Sequence, residues 1–466
     1  MTKEHLVVVG AGPGGYTAAF SAADQGYKVT LLDSSEKPGG VCLHRGCIPS
    51  KALLHVAGLM TKVVQAKDWG VDFGEPKIDL KRLREWKDEI SLKISGGLIS
   101  LCKQRDVSFI NSRGIFTDSN TIKLSNNSSL VFDRCIIATG SRPIMPQKFI
   151  DNKLFMMDST EALKLPTIPE KMLVVGGGYI GLELGKVYSS LGSRVTIVEM
   201  RDGLLPNVDR DLIRPLQEKL SKEFEAIYLN TEIVSIRESK KLGHVTMVKA
   251  TEQFEESFDS ILMSVGRRPN TDKIGLECTN VQLDDKGFIK VDGKRQTADS
   301  KILAIGDVSG EPMLAHKASH EARIAIDGIL GKDVSFINKI TPAVVFTDPE
   351  VAWCGLTESD AKSNGTDIEV ARFPWGASGR AHTISRTEGM TKIILEPMTK
   401  RLLGVGIVGY GAGELIGEGV LAINMGAKAE DLSNCIHPHP TLSETIMESA
   451  DVSIGIATHI YKRPRK

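Results

Sequence analysis

The chain has 466 residues, with 58 Lys+Arg against 58 Asp+Glu and 41% hydrophobic residues. The length suits roughly three domains of ordinary size, and the balanced charge gives no generic attraction to nucleic acid or an anionic membrane. No apolar run approaches the ~20 residues of a membrane span, and seven cysteines are too few and too scattered for a secreted disulfide framework.

The first element, "LVVVG" from Leu6, begins so early that no signal or transit peptide fits before it. The expectation is a cytoplasmic protein. That strand opens a pattern running to Asp33: an apolar run, GxGxxG at Gly10, Gly12 and Gly15, an amphipathic stretch, Gly26, and a β-branched run ending in an acid. The pattern returns from Met172 to Glu199 around Gly176, Gly178, Gly181 and Gly192, and the first glycine and the acid are 23 positions apart in both copies. One GxGxxG is weak evidence, because glycine-rich turns follow strands without any ligand. Two copies with matched spacing and matching acids are strong evidence. The first glycine makes a tight turn, the second lets the backbone approach a pyrophosphate, the third permits close helix–strand packing, and the helix N-terminus faces the negative charge. The acid accepts hydrogen bonds from ribose hydroxyls. Two dinucleotides are expected, and Glu199 favours NAD over NADP by repelling a 2′-phosphate, although Arg201 stands close by.

Between the copies lies "GGVCLHRGCIPSK", residues 39–51. In a regular helix an i to i+5 step rises about 7.5 Å and turns about 140° away, whereas a disulfide needs Cα atoms roughly 4.4–6.8 Å apart. A bond between Cys42 and Cys47 therefore requires a bend, which Gly46 permits, and a bond so constrained suits redox work more than stapling. The spacing alone fits two reduced, buried thiols equally well. Lys51 either lowers a thiolate pKa or snorkels at the surface. Cys102, Cys135, Cys278, Cys354 and Cys435 read as small buried apolar residues. No Cys/His set has zinc spacing, so no metal is expected.

Further along, "LPTIPEKM" (165–172) is a proline-punctuated lead into the second copy. "SVGRRPNTDKIG" leaves a strand for a turn-rich link, and "NKITPAVVFTDPE" precedes a change to strands plus the helix-like "AGELIGEGVLAINMG". In "HPHPTLSE" (437–444) Thr441 and Glu444 have capping-box spacing, with Thr441 capping a helix and Glu444 reaching back to its first amide. By sequence alone that is the first reading of Glu444, and the His-Pro steps read as a rigid turn. The functional alternative has Glu444 orienting His439 as a proton acceptor near neutral pH.

Taken together these segments resemble the pyridine nucleotide–disulfide oxidoreductases over essentially the whole chain, and within them the branch that oxidises dihydrolipoamide. "GAGPGGY" resembles the FAD motif and "GGVCLHRGCIPSKALL" the redox helix; "ATGSRP" and "LAIGD" followed by "MLAHKA" resemble later FAD segments. "VVGGGYIGLELG" and "SVGRRPN" resemble the NAD site, and "HPHPTLSE" the acid–base motif. The resemblance implies an α/β fold with two Rossmann-like domains for FAD and NAD, a central domain, and an α+β C-terminal interface domain. The implied segments are 1–143 (FAD, first part), 144–270 (NAD), 271–340 (central, second FAD segment) and 341–466 (dimerisation).

The resemblance also implies residue roles. Cys42 and Cys47 would form a disulfide against the flavin, and His439 with Glu444 the acid–base dyad. Asp33 would hold the adenosine ribose and Asp307 the ribityl chain, while Gly114 and Ala315 would supply backbone contacts to FAD. Lys51 and Glu183 would pair beside the flavin ring, where sequence alone reads Glu183 as an ordinary solvated acid. Gly266 and Arg267 would line the NAD site. The implied activity oxidises protein-bound dihydrolipoamide and reduces NAD, in a homodimer serving the lipoyl-bearing acyltransferase of 2-oxo acid dehydrogenase complexes or glycine cleavage. Two departures stand out: Pro438 replaces the usual alanine between the histidines, and "LHR" at 43–45 replaces the common Leu-Asn-Val. The competing readings are a sister reductase acting on glutathione or a related thiol, and a flavin-binding subunit whose cysteine pair idles. Glu199 stands where the first usually has an arginine-rich loop.

Overall fold

The computed structural model describes residues 4–149, 155–239, 242–336 and 340–461. The first apolar run forms strand His5–Val9, with Leu6, Val7 and Val8 fully buried. It is the middle strand of a parallel sheet ordered Ile302–Ala304, Arg134–Ile137, His5–Val9, Lys28–Asp33, Ser108–Asn111. A parallel sheet is covered on both faces, which is why its strands read as unbroken apolar runs. Helix Pro13–Asp24 starts on a proline whose missing N–H costs nothing there. Its small residues Ala18, Ala19 and Ala22 share one core with Ala322 and Ala325 of helix Ala315–Ile329. The first unit is thus completed by a strand and a helix from beyond the second.

The second unit repeats the plan around strand Lys171–Val175, in a parallel sheet ordered Ala226–Tyr228, Arg194–Val198, Lys171–Val175, Ser260–Met263, Met156–Met157. His5 faces Lys28 in the first sheet and Lys171 faces Arg194 in the second, the same 23-residue step. Each unit also carries a three-stranded antiparallel meander before its next sheet strand: Gly114–Asp118, Thr121–Leu124 and Ser129–Val131 in one, Thr231–Ser239, Leu242–Lys249 and Glu252–Phe258 in the other. The sequence reading does not foresee these meanders. A two-stranded ribbon, Ser141–Pro143 against Arg267–Pro269, joins the units.

The C-terminal part is an antiparallel sheet ordered Ala343–Val345, Glu350–Gly355, Leu402–Gly409, Met390–Leu395, Glu369–Pro374. Helices Ala412–Met425 and Glu444–Ile454 contribute to its core. Trp375 is fully buried there and fits because Gly389 and Gly409 lack side chains: a Cβ on either would lie 2.4 or 2.3 Å from the indole.

One expectation needs correction. Cys102, Cys135 and Cys354 are buried, but Cys278 and Cys435 are exposed. Both stand at the ends of short helical turns, Leu276–Cys278 and Ala429–Asn434, where the chain runs along the surface. The helical stretch Gly40–Trp69 is long and apolar enough on average to cross a membrane, although no uninterrupted apolar run of that length exists in it. It nevertheless breaks at Gly46 and bears Lys51, which is paired with the buried Glu183.

Lys392, 1% exposed, fastens the second unit to the C-terminal part. Its ammonium lies 2.7 Å from oxygens of Asp209, Asp211 and Glu358. These three carboxylates gather as ligands of a cation would, and the ammonium occupies the cation's position. Burial alone would raise the pKa of Asp209 and Asp211, but Lys392, together with the Glu358 and Ser359 amides at Asp209 and Arg372 at Asp211, outweighs it and both are lowered. The stabilisation is therefore present above the ordinary carboxylate range and lost as pH falls through the lowered native values. Removing one partner of a buried cluster typically costs about 3–5 kcal/mol. Lys392→Met should lower the urea midpoint accordingly, with a deficit that shrinks on acidification; an unchanged midpoint would refute this role.

Candidate active site

The two glycine loops are built alike. Gly10 and Gly176 have φ of +105° and +103°, and a Cβ there would lie 2.3 Å from the Ala138 carbonyl oxygen or 2.6 Å from that of Ser264. A Cβ on Gly15 or Gly181 would strike the carbonyl oxygen of Gly10 or Gly176 at 1.7 or 2.3 Å. Gly12 and Gly178 meet no such obstacle, so their bare backbone leaves the loop amides open to approach. The two acids do something that spacing did not reveal. Asp33 accepts from the amides of Ala11 (2.6 Å) and Ser35 (2.7 Å). Glu199 accepts from those of Gly177 (2.7 Å) and Arg201 (2.8 Å). Each acid thus clips its own loop shut, and each oxygen keeps a lone pair for a ligand hydroxyl.

A cavity of about 290 Å³ runs from the first loop past Asp33 and both cysteines to Ser141, Asp307 and Ala315. Ala315 opens a helix with no side-chain cap, so its first amides remain available to a ligand. Asp307 accepts from the Ser141 hydroxyl. Arg267 donates to that hydroxyl (2.8 Å) and to the Ser141 carbonyl (2.7 Å). Ser141 has no place in the sequence-derived site, and only its position in "ATGSRP" signals it. Arg267 lines this first cavity, immediately after Gly266 with its φ of +127°. A Cβ on Gly114 would lie 2.6 Å from Leu32 and 2.7 Å from Ile122, so a bare backbone there also lets the meander pack on the sheet. The second loop, with Gly176, Gly178, Gly181 and Glu199, lies outside the cavity, although Tyr179 and Glu183 from the helix that follows line its wall.

Helices Gly40–Arg45 and Cys47–Gln65 meet at Gly46. A Cβ on Gly46 would lie 2.9 Å from the Val41 carbonyl oxygen and 3.3 Å from Cys42 Cα, so the chain folds back onto the turn that carries Cys42. Both cysteines are free and lie within reach of each other. They are hydrogen-bonded to each other, and that bond raises Cys42 and lowers Cys47. Cys47 falls to about 7, through the Cys42 bond first and the Lys51 ammonium next, with burial opposing. Of the two sulfurs, Cys47 is therefore the one that more readily carries the negative charge.

Lys51 Nζ lies 2.8 Å from Glu183, whose side chain is 4% exposed. The other Glu183 oxygen accepts from the Phe346 amide at 3.0 Å, and Lys51 sits 4.5 Å above the Phe346 ring. Three separate parts of the chain converge on this ammonium.

His439 Nδ1 lies 2.9 Å from one Glu444 oxygen, and the other accepts from the Thr441 amide at 2.7 Å. Glu444 therefore fills both candidate roles at once. The other half of the capping box is absent: the helix begins at Glu444 with Ser443 before it, and the Thr441 hydroxyl donates to the Pro438 carbonyl. Burial works to raise the Glu444 pKa, but the Thr441 amide and His439 prevail and lower it. His437 is fixed between the Cys435 carbonyl (3.0 Å) and Glu418 (2.8 Å) and is 8% exposed. Pro438 thus separates a locked histidine from one that is 74% exposed, and His439 does not line the cavity of its own chain.

Residues 4–322 match the pattern of the pyridine nucleotide-disulphide oxidoreductases, and residues 341–450 match the dimerisation domain of that family. Dihydrolipoyl dehydrogenase of Vibrio parahaemolyticus is 43% identical over 98% of this chain and 97% of its own length. That of Thermus scotoductus is 42% identical over 99% of this chain and all of its own. Among solved structures, LpdA from Mycobacterium tuberculosis superposes with a TM-score of 0.87 at 28% identity, covering 96% of this chain and 99% of its own. The HOCl-induced flavoprotein disulfide reductase RclA from Escherichia coli gives 0.85 at 27%, covering 95% and 98%.

The thiolate assignment has a direct test. In the reduced protein, the rate of Cys47 alkylation should rise through a midpoint near pH 7. Lys51→Met should move that midpoint upward, since it removes a cation and leaves the Glu183 carboxylate unpaired nearby. A wild-type midpoint in the ordinary thiol range would sink the assignment.

Proposed function

We propose the reaction from one premise: the chain belongs to the pyridine nucleotide-disulphide oxidoreductase family. Within it the chain is a dihydrolipoyl dehydrogenase, oxidising protein-bound dihydrolipoamide to lipoamide and reducing NAD, as a component of 2-oxo acid dehydrogenase complexes in the cytoplasm. The observation that carries this reading is the Cys42–Cys47 pair on the wall of the cavity, with Cys47 lowered to about 7 by Cys42 and the Lys51 ammonium.

The residues present fit FAD in the cavity. Gly12 leaves bare amides, Asp33 keeps spare lone pairs, the helix at Ala315 is uncapped, and Asp307 offers a carboxylate to hydroxyls. NAD fits the second loop, where Glu199 faces the ribose position and opposes a 2′-phosphate. When bound, FAD accepts the electron pair from the dithiol and passes hydride to NAD. The division at residues 143, 270 and 340 into FAD, NAD, central and interface segments belongs to the same proposal.

The chain's own residues carry the sulfur chemistry. In the oxidised state Cys42 and Cys47 are bonded. His439, held by Glu444, takes the proton from one substrate thiol, and the resulting thiolate attacks the Cys42 sulfur. The Cys42–Cys47 bond breaks and Cys47 leaves as a thiolate, which Lys51 stabilises. The second substrate thiol passes its proton to Cys42 as it displaces that sulfur, the lipoyl ring closes, and His439 is left holding the first proton. The product state is a Cys42 thiol donating to a Cys47 thiolate. Splitting the transfer through a covalent intermediate implies ping-pong kinetics.

His439 is exposed and lies away from its own cavity, within the span that matches the dimerisation domain. These facts support a homodimer in which each chain supplies its histidine to the other's thiols. His439→Gln should abolish lipoamide turnover while leaving electron transfer from NADH to ferricyanide intact. Equal loss of both activities would count against the assignment.

A further inference from the structure

We propose that Trp375, Thr391 and Thr445 form a directional hydrogen-bond chain that positions the His439–Glu444 pair from inside the C-terminal core. The inference rests on reading that pair as the acid–base dyad. The Trp375 indole N–H donates to the Thr391 hydroxyl at 3.0 Å, and the Thr391 and Thr445 hydroxyls lie 2.8 Å apart. The Thr445 hydroxyl donates to the Leu442 carbonyl at 2.7 Å. All three side chains are fully buried. An indole is a donor only. Thr391 therefore accepts from Trp375 and gives its single proton to Thr445, which gives its own to Leu442. Every proton in the series has one direction.

The chain ends in the short loop that separates His439 from Glu444. The other side-chain hydrogen bonds of that loop are local, Thr441 to the Pro438 carbonyl, Thr441 to Ser443, and the Thr441 amide to Glu444, while Leu442 packs against the C-terminal core. The helix that presents Glu444 starts at that residue without a side-chain cap on its first amides, a terminus that otherwise frays. Thr391, in strand Met390–Leu395, fastens that start to the sheet through the Thr445 hydroxyl; one turn on, the Ser449 hydroxyl shares its proton between the Thr445 carbonyl at 2.8 Å and the Thr391 carbonyl at 3.2 Å. His439 is held by Glu444 rather than by packing, so any shift of the first helical turn moves the imidazole directly. Trp375 needs a partner for its N–H, and that need alone would be met by any acceptor. What marks a positioning role is the continuation beyond Thr391 to the loop between the dyad residues.

The test compares lipoamide-dependent turnover with NADH-to-ferricyanide activity in the full-length holoenzyme. Thr391→Val and Thr445→Ala should each lower lipoamide kcat about tenfold, as misplacement of a reacting group does, with KM for dihydrolipoamide and ferricyanide activity unchanged. The double variant should be no worse than the poorer single, because both remove the same link. Thr445→Ser, which keeps the hydroxyl, should retain wild-type turnover. An unchanged ratio of the two activities, a parallel fall in both, or additive losses would overturn the chain. If His439→Gln kept lipoamide turnover, the dyad reading would fall with it. An inactive His439→Gln beside an unaffected Thr391→Val would remove only the inference made here.

Discussion

The ammonium of Lys51 is the point on which the remaining architecture converges. It belongs to the helix that begins at Cys47, it is 2.8 Å from Glu183 in the helix following the second glycine loop, and it lies over Phe346 beside the C-terminal sheet. Glu183 is almost wholly removed from water, and a buried carboxylate left without a cation is strongly unfavourable. The pair therefore holds the two nucleotide units face to face at the cysteines. The same charge helps keep Cys47 near a pKa of about 7. One contact thus serves tertiary structure and sulfur chemistry together.

Around it the charges and hydrogen bonds are arranged in series rather than scattered. Arg267 bonds to Ser141, and Ser141 bonds to Asp307. Because the Ser141 hydroxyl accepts from the guanidinium, its one proton is available to the carboxylate. This series starts in the ribbon strand after the second sheet and ends in the segment that completes the first unit, so the ribbon is a chemical link as well as a mechanical one.

Much of this was legible in the sequence where the constraint is local. The 23-residue step from glycine to acid appears directly as strand register in both sheets. Gly46 announces the break between the two cysteine helices because the chain must pass close to Cys42 there. The hidden features depend on residues distant in sequence. Ser141 meets Arg267, and Trp375 meets Thr391 and then Thr445, with no periodicity joining them. The room that Gly114 leaves for Leu32 and Ile122 is equally hidden, because those neighbours lie far from it or out of register in the sequence. The apolar average of Gly40–Trp69 is masked in the sequence because charged residues such as Arg45 and Lys51 interrupt every run.

The discontinuity of the first unit bears on the order in which the polypeptide gains structure during synthesis. Strand His5–Val9 leaves the ribosome early, yet its sheet lacks an edge until Ile302–Ala304 emerges, and helix Pro13–Asp24 lacks its packing partner until Ala315–Ile329 follows. The later unit is contiguous and has all its strands by Met263. The nascent chain therefore completes its second half-fold before its first, and the early apolar strands wait in an unfinished state in which they are open to chaperones and to aggregation.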